Sequence, residues 1–138
     1  MGTRGSKRMS TRRTIATEAQ EQAALFRWAA FAAGTHPELR LLFHVPNGGT
    51  RDPIEARHLK EQGVKAGVPD MFLPVARGGY HGLFIELKRS KGGVVSEDQR
   101  AWLDRLRLQG YRAEVARGWD AAREIIEEYL KGGNHHQM

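Results

Sequence analysis

The sequence predicts an α/β fold in which a mixed sheet of about four strands is flanked by helices. Three observations predict it. Helix-like and strand-like patterns follow one another in the order α, β, short α, β, β, α, β, α. The two middle strands are joined by Ala76-Arg77-Gly78-Gly79-Tyr80-His81, a hairpin-sized connection that makes them antiparallel. The last strand is reached through a helix, and a strand–helix–strand crossover makes a parallel pair.

Each element has a local cause. The first helix is expected from about Thr17 to Ala33, because Thr17 and Gln20 have capping-box spacing and Gly34 supplies a stop. Leu41–Val45 is expected as a buried strand, followed by a loop at Pro46-Asn47-Gly48-Gly49. A short second helix opens at Asp52 as N-cap with Pro53 at its first position, and Gly63 closes it. Strands are expected at about Asp70–Val75 and Leu83–Lys88. Lys91-Gly92-Gly93 is a loop, and Ser96-Glu97-Asp98-Gln99 starts a third helix whose stripe is Trp102, Leu103 and Leu106. Tyr111–Ala116 is the last strand. Asp120 then caps a final helix carrying Ile125, Ile126, Tyr129 and Leu130.

A chain of 138 residues holds one hydrophobic core but not two. The expected division is a basic arm over residues 1–13, a single domain over 14–131 and a polar tail over 132–138. The absence of cysteine excludes disulfides, thiolate zinc sites and cysteine nucleophiles, and it suits a reducing cytosol. No apolar run approaches the ~20 residues of a membrane span, and the basic N-terminus lacks the apolar stretch of a signal peptide. The net charge of +6 is unevenly placed. Arg4, Lys7, Arg8, Arg12 and Arg13 fall in a stretch without any acid, which leaves the rest of the chain nearly neutral. Such an arm suits contact with a polyanion, with Arg12 and Arg13 as candidate nucleic-acid contacts; it also suits a solubilising leader.

The chemistry-bearing pattern is built from carboxylates and a lysine. Hydrolysing a phosphodiester at neutral pH requires neutralised phosphate charge and a source of hydroxide, and a divalent cation held by oxygen ligands supplies both. In the strand Leu83–Lys88, alternation sends Leu83, Ile85 and Leu87 to one face and Phe84, Glu86 and Lys88 to the other. A carboxylate and an ammonium therefore share a face, as they also would in an ordinary cross-strand ion pair. Gly67-Val68-Pro69-Asp70 adds a second carboxylate at the start of the neighbouring strand, which the hairpin can bring to Glu86. Glu18 is a third. At about 100° per residue it lies in line with Leu25 and Ala29 on the stripe facing the sheet, whereas Glu21 lies about 60° away on the margin. Glu18 would equally favour the positive end of its own helix.

Glu18-x-x-x-Gln22, Pro46-Asn47-Gly48-Gly49, Gly67-Val68-Pro69-Asp70, Ile85-Glu86-Leu87-Lys88, Ser96-x-x-Gln99 and Gly110-Tyr111 together resemble a VRR-NUC domain, a branch of the PD-(D/E)xK nuclease superfamily. The resemblance spans roughly Glu18 to Tyr129. It implies a restriction-endonuclease-like core and Mg²⁺-dependent DNA cleavage, with Mn²⁺ as a substitute. It implies that Asp70, Glu86 and the Leu87 carbonyl hold the metal, that Glu18 supports it, that Lys88 assists the water, and that Gln99 projects toward Lys88. Stand-alone domains of this size resemble virus- and bacterium-encoded forms, which implies a cytoplasmic setting, branched DNA such as a four-way junction as partner, and a homodimer.

Other residues carry less. Gln99 also completes a capping box with Ser96. Asn47, Gly48 and Gly49 are candidate phosphate contacts or a bare turn. The histidines lack metal-ligand spacing, and His44 reads as a histidine at the edge of the core. No Gly-Lys-Ser/Thr follows the glycine pairs, which speaks against an ATPase. Two rival classes stay open: a non-catalytic nucleic-acid-binding module, and a nuclease subunit whose specificity comes from a partner protein.

Overall fold

The computed structural model describes residues 15–46 and 52–133. Arg12, Arg13, Asn47, Gly48 and Gly49 lie outside these residues, as do the arm over 1–13 and most of the tail. Among the described residues no helix is long and apolar enough to cross a membrane.

Helix α1 (Glu18–Ala32) begins with the expected capping box: Gln20 N–H donates to Thr17 Oγ1 and Thr17 N–H donates to Gln20 Oε1. Gly34 does not make a left-handed stop. The helix instead ends through the amides of Thr35 and His36, both donated to the Ala32 carbonyl. A short 3-10 helix (Pro37–Leu41) follows, then β1 (Phe43–His44), α2 (Pro53–Glu61), β2 (Met71–Leu73), β3 (Leu83–Lys88), α3 (Glu97–Leu108), β4 (Arg112–Arg117) and α4 (Trp119–Leu130). Asp52 caps α2 by accepting the Ile54 N–H, and Gly63 ends it at φ 101°.

The sheet order is β1-β2-β3-β4, with β1/β2 and β2/β3 antiparallel and β3/β4 parallel. The mixed sheet and its hairpin and crossover match the expectation. Leu83, Ile85 and Leu87 point into the main core with Met71 and Leu73, covered by Leu25 and Ala29 of α1 and Ala122, Ile126 and Tyr129 of α4. The opposite face carries Phe72, Phe84, Glu86 and Lys88, with Leu103 of α3 buried on that side.

Two further expectations about the elements are corrected. The first strand is not a buried run over Leu41–Val45. β1 has two ladder positions, Phe43 opposite Phe72 and His44 opposite Met71, because Leu41 is taken up in the 3-10 helix that precedes it. Leu41 and Phe43 are 52% and 47% exposed, and only Leu42 of that run is buried. Asp120 does not cap α4. Gly118 holds the N-cap position at φ 88° without a side-chain cap bond, and Asp120 pairs with Arg123 at 2.7 Å.

Candidate active site

The hairpin closes around a fork. β2 pairs with β3 as far as Met71 opposite Ile85 and then departs toward Pro69, which has no N–H to give a ladder. The next β3 amide on that edge, Leu87 N–H, is taken by the side chain of Asp70: Oδ2 accepts it at 2.8 Å. Asp70 therefore stands directly before β2 rather than inside it, with its carboxylate fixed beside β3. The N–H and C=O of a strand residue project to the same edge, so the Leu87 carbonyl shares this fork. Gly67 lets the segment before Asp70 pass close against the start of α3. Its φ is 92°, and a Cβ there would sit 2.6 Å from the Asp98 backbone at the start of α3.

Glu86 and Lys88 are more enclosed than a half-exposed strand would leave them, at 2% and 6% exposure. Lys88 Nζ lies 3.4 Å from Glu86 Oε2. Gln99 serves both of the functions its position allows. Its Oε1 accepts the Ser96 N–H in the capping box, while its Nε2 donates to Glu86 Oε2 at 3.1 Å. Its partner in the site is thus Glu86, not Lys88. The remaining oxygen, Glu86 Oε1, is buried and has no hydrogen-bond partner.

That arrangement sets the electrostatics. Burial, and then the nearby Asp70 carboxylate, push the Glu86 carboxyl up to about 8; Lys88 pulls the other way without cancelling them. A value near 8 favours a protonated Glu86 carboxyl beside the Asp70 carboxylate at neutral pH. A divalent cation is the other species that satisfies such a pair, and an orphaned buried oxygen beside a second carboxylate and a main-chain carbonyl fits a hard, oxygen-preferring ion. Among the described residues no group of three or more His, Cys, Asp or Glu side chains gathers in metal-binding geometry. The set that fits is Asp70, Glu86 and the Leu87 carbonyl.

Glu18 lies at the rim. It is exposed, and it lines a cleft of about 220 Å³ with Ala19, Gln22, His44, Asp70 and Leu87. The buried stripe of α1 runs through Glu21, Leu25 and Ala29, so the stripe is rotated toward Glu21 from the expected one. Glu21 does not enter the cleft. Its Oε1 accepts the Trp119 N–H at 3.0 Å, capping α4 from another helix, while Gly118 N–H donates to the Lys88 carbonyl at 2.8 Å. Glu21 thus straps the β4–α4 corner against the end of β3. We expect Glu21→Ala to cost about 1–3 kcal/mol by orphaning that amide. Chemical unfolding checks this, and an unchanged midpoint would remove the strap.

His44 was not expected in the site, and it lines the same cleft. Its Nδ1 lies 2.9 Å from the Asp70 carbonyl oxygen. The pairing of β1 with β2 that brings it there leaves no local mark in the sequence.

Comparison with known proteins adds the following. The family model for the VRR-NUC domain matches residues 7–120. A solved structure described as a VRR_NUC domain protein is similar to this chain at a TM-score of 0.75 and 31% identity, covering 88% of this chain and 94% of that one. No curated protein matches.

Proposed function

The chain belongs to the VRR-NUC domain family and has a nuclease-type function, and from that premise we propose that it is a divalent-cation-dependent DNA endonuclease resolving four-way junctions as a homodimer. The observation that carries the cation dependence is the orphaned Glu86 Oε1 facing Asp70.

Asp70, Glu86 and the Leu87 carbonyl would hold Mg²⁺, or Mn²⁺ in its place. The cation supplies neutralisation of the phosphate and hydroxide at neutral pH. The chain's own groups do the rest. Lys88, held next to Glu86, would offer its ammonium N–H groups to the attacking water and to the charge growing on the phosphate. Gln99 fixes the Glu86 carboxylate through its amide, so that one oxygen is occupied and the other is left for the ion. Glu18, on the rim of the cleft, would support the ion from the first helix. Arg12, Arg13 and the Asn47-Gly48-Gly49 loop are the proposed contacts to the DNA backbone.

One gel tests the reaction: purified protein with Mg²⁺ and a panel of linear, nicked, flap and four-way-junction DNAs. Mg²⁺ or Mn²⁺ is expected to support cleavage and chelator to abolish it. Ca²⁺ is expected to bind with little turnover, because it accepts looser geometry. Full cleavage in excess chelator would refute the reading.

The dimer follows from symmetry. One site cuts one strand, and resolving a junction needs two cuts related by a two-fold axis, the commonest oligomer symmetry. Of the two surfaces that could form a seam, Ile126 and Tyr129 are spent in the core, whereas Leu41 and Phe43 are exposed beside the sheet edge at β1. Light scattering is expected to give twice the 15.5 kDa chain mass, falling to one chain in Phe43→Glu. A single-chain mass at micromolar concentration, unchanged by added junction, would sink the dimer.

A further inference from the structure

We infer that His44 is a positioning residue whose free ring nitrogen accepts a hydrogen bond from the water shell of the divalent cation. This rests on the cation site proposed above. A carbonyl oxygen only accepts hydrogen bonds, so the 2.9 Å contact between His44 Nδ1 and the Asp70 oxygen requires the hydrogen on Nδ1. In neutral imidazole Nε2 then carries a lone pair. Among the described residues Nε2 has no hydrogen-bond partner, and the exposed ring lines the cleft that also holds Asp70, Leu87, Glu18 and Gln22.

The chemistry of the cation requires acceptors there. Mg²⁺ keeps several of its waters when two carboxylates hold it, and each retained water presents hydrogens outward. Among the described residues, the polar side chains lining this cleft are Glu18, Gln22, His44 and Asp70, so a water shell there meets few acceptors besides the proposed ligand. The tie to Asp70 makes His44 the best held of them. The same Asp70 carbonyl also accepts the Val45 N–H at 2.6 Å, so the ring is locked to the backbone of a proposed ligand residue. Groups in this outer position orient waters and tune the ion.

The competing role is purely structural, a ring that only ties β1 to the Asp70 turn. Two substitutions separate the roles. His44→Asn keeps an N–H at the position of Nδ1 and removes the distal acceptor. His44→Ala removes both. Calorimetric titration of metal-free protein with Mg²⁺ and with Mn²⁺ is the first readout. H44N is expected to keep the wild-type melting temperature, to bind the cation about tenfold more weakly and to lower kcat with KM for DNA unchanged. H44N with wild-type affinity would overturn the inference in favour of the structural tie. Asp70→Asn in the same titration keeps the two ideas apart. If D70N loses cation binding and H44N does not, only the role of His44 fails; if D70N binds like wild type, the cation site itself fails. A second readout needs no variant. Two-bond proton–nitrogen NMR of the metal-free wild type at alkaline pH is expected to show His44 as the Nδ1–H tautomer, and the Nε2–H tautomer would overturn the inference.

Discussion

Asp70→Asn and Lys88→Ala are each expected to lose roughly 10²–10³-fold or more of cleavage rate with the fold retained, and the double variant is expected to be little worse than the poorer single. The fold survives D70N because Asn can still accept the Leu87 N–H through its side-chain oxygen, which is the structural bond Asp70 makes. What it loses is the second negative charge at the fork. Lys88→Ala acts differently. It removes the ammonium 3.4 Å from Glu86 Oε2, and with it a charge that draws the Glu86 carboxyl back toward its ordinary range. A Glu86 that holds its proton more firmly would be a poorer ligand, so K88A is expected to weaken the proposed cation site as well as the handling of water. Groups that act on one reaction centre show this non-additivity. Single-turnover cleavage of a junction at saturating protein and Mg²⁺ is the measurement. A double variant lower than either single by the product of their losses would mean that Asp70 and Lys88 act independently.

Part of this site was readable in the sequence because strand alternation is local. Glu86 and Lys88 share a face whatever packs on it, and Gly67-Val68-Pro69 marks a turn whatever lies beneath. The sequence does not reveal the depth of the pair: their burial depends on α3 closing over that face through Gln99 and Leu103. The phase of α1 differs from the expected one for an equally physical reason. Apolar residues, among them Leu25, Phe26, Trp28, Ala29 and Phe31, spread around most of its circumference, so the arc they define does not settle between Glu18 and Glu21. The deciding contact is the Trp119 amide, 98 residues away. That same contact supplies the cap for which Asp120 looked suited. The apolar run Leu41-Leu42-Phe43 suggested a buried strand, yet it lies beside the sheet edge, where two of its three side chains face out. Placing His44 at the core's edge followed from that reading, and its correction moves the ring into the cleft.

Replacing Glu86 by Gln is expected to remove cleavage and, in chelator, to stabilise the protein above pH 8. Burial and Asp70 push the Glu86 carboxyl up to about 8 in the folded state, whereas in the unfolded chain it titrates near its ordinary 4.5. Below the lower value both states are protonated, and Glu86 costs nothing. Between the two values the folded state holds a proton that the unfolded state has released, so stability falls as pH rises. Above the upper value the folded state carries two facing carboxylates and bears the whole penalty. Gln is a neutral isostere that can still accept from Gln99 Nε2, so it escapes this penalty. The melting temperature of the wild type in chelator is therefore expected to drop between about pH 5 and 8 relative to E86Q, whose curve lacks that step. Mg²⁺ is expected to reverse the order: by taking the proton's place it would stabilise the wild type increasingly with pH over the same window, with no such gain in E86Q. Thermal melts of both proteins at pH 5.5, 7 and 8.5, with chelator and with Mg²⁺, give the comparison. If E86Q melts below the wild type at pH 8.5 in chelator, the carboxylate was already satisfied without a cation. The orphaned Oε1 would then not be a vacancy that the reaction fills.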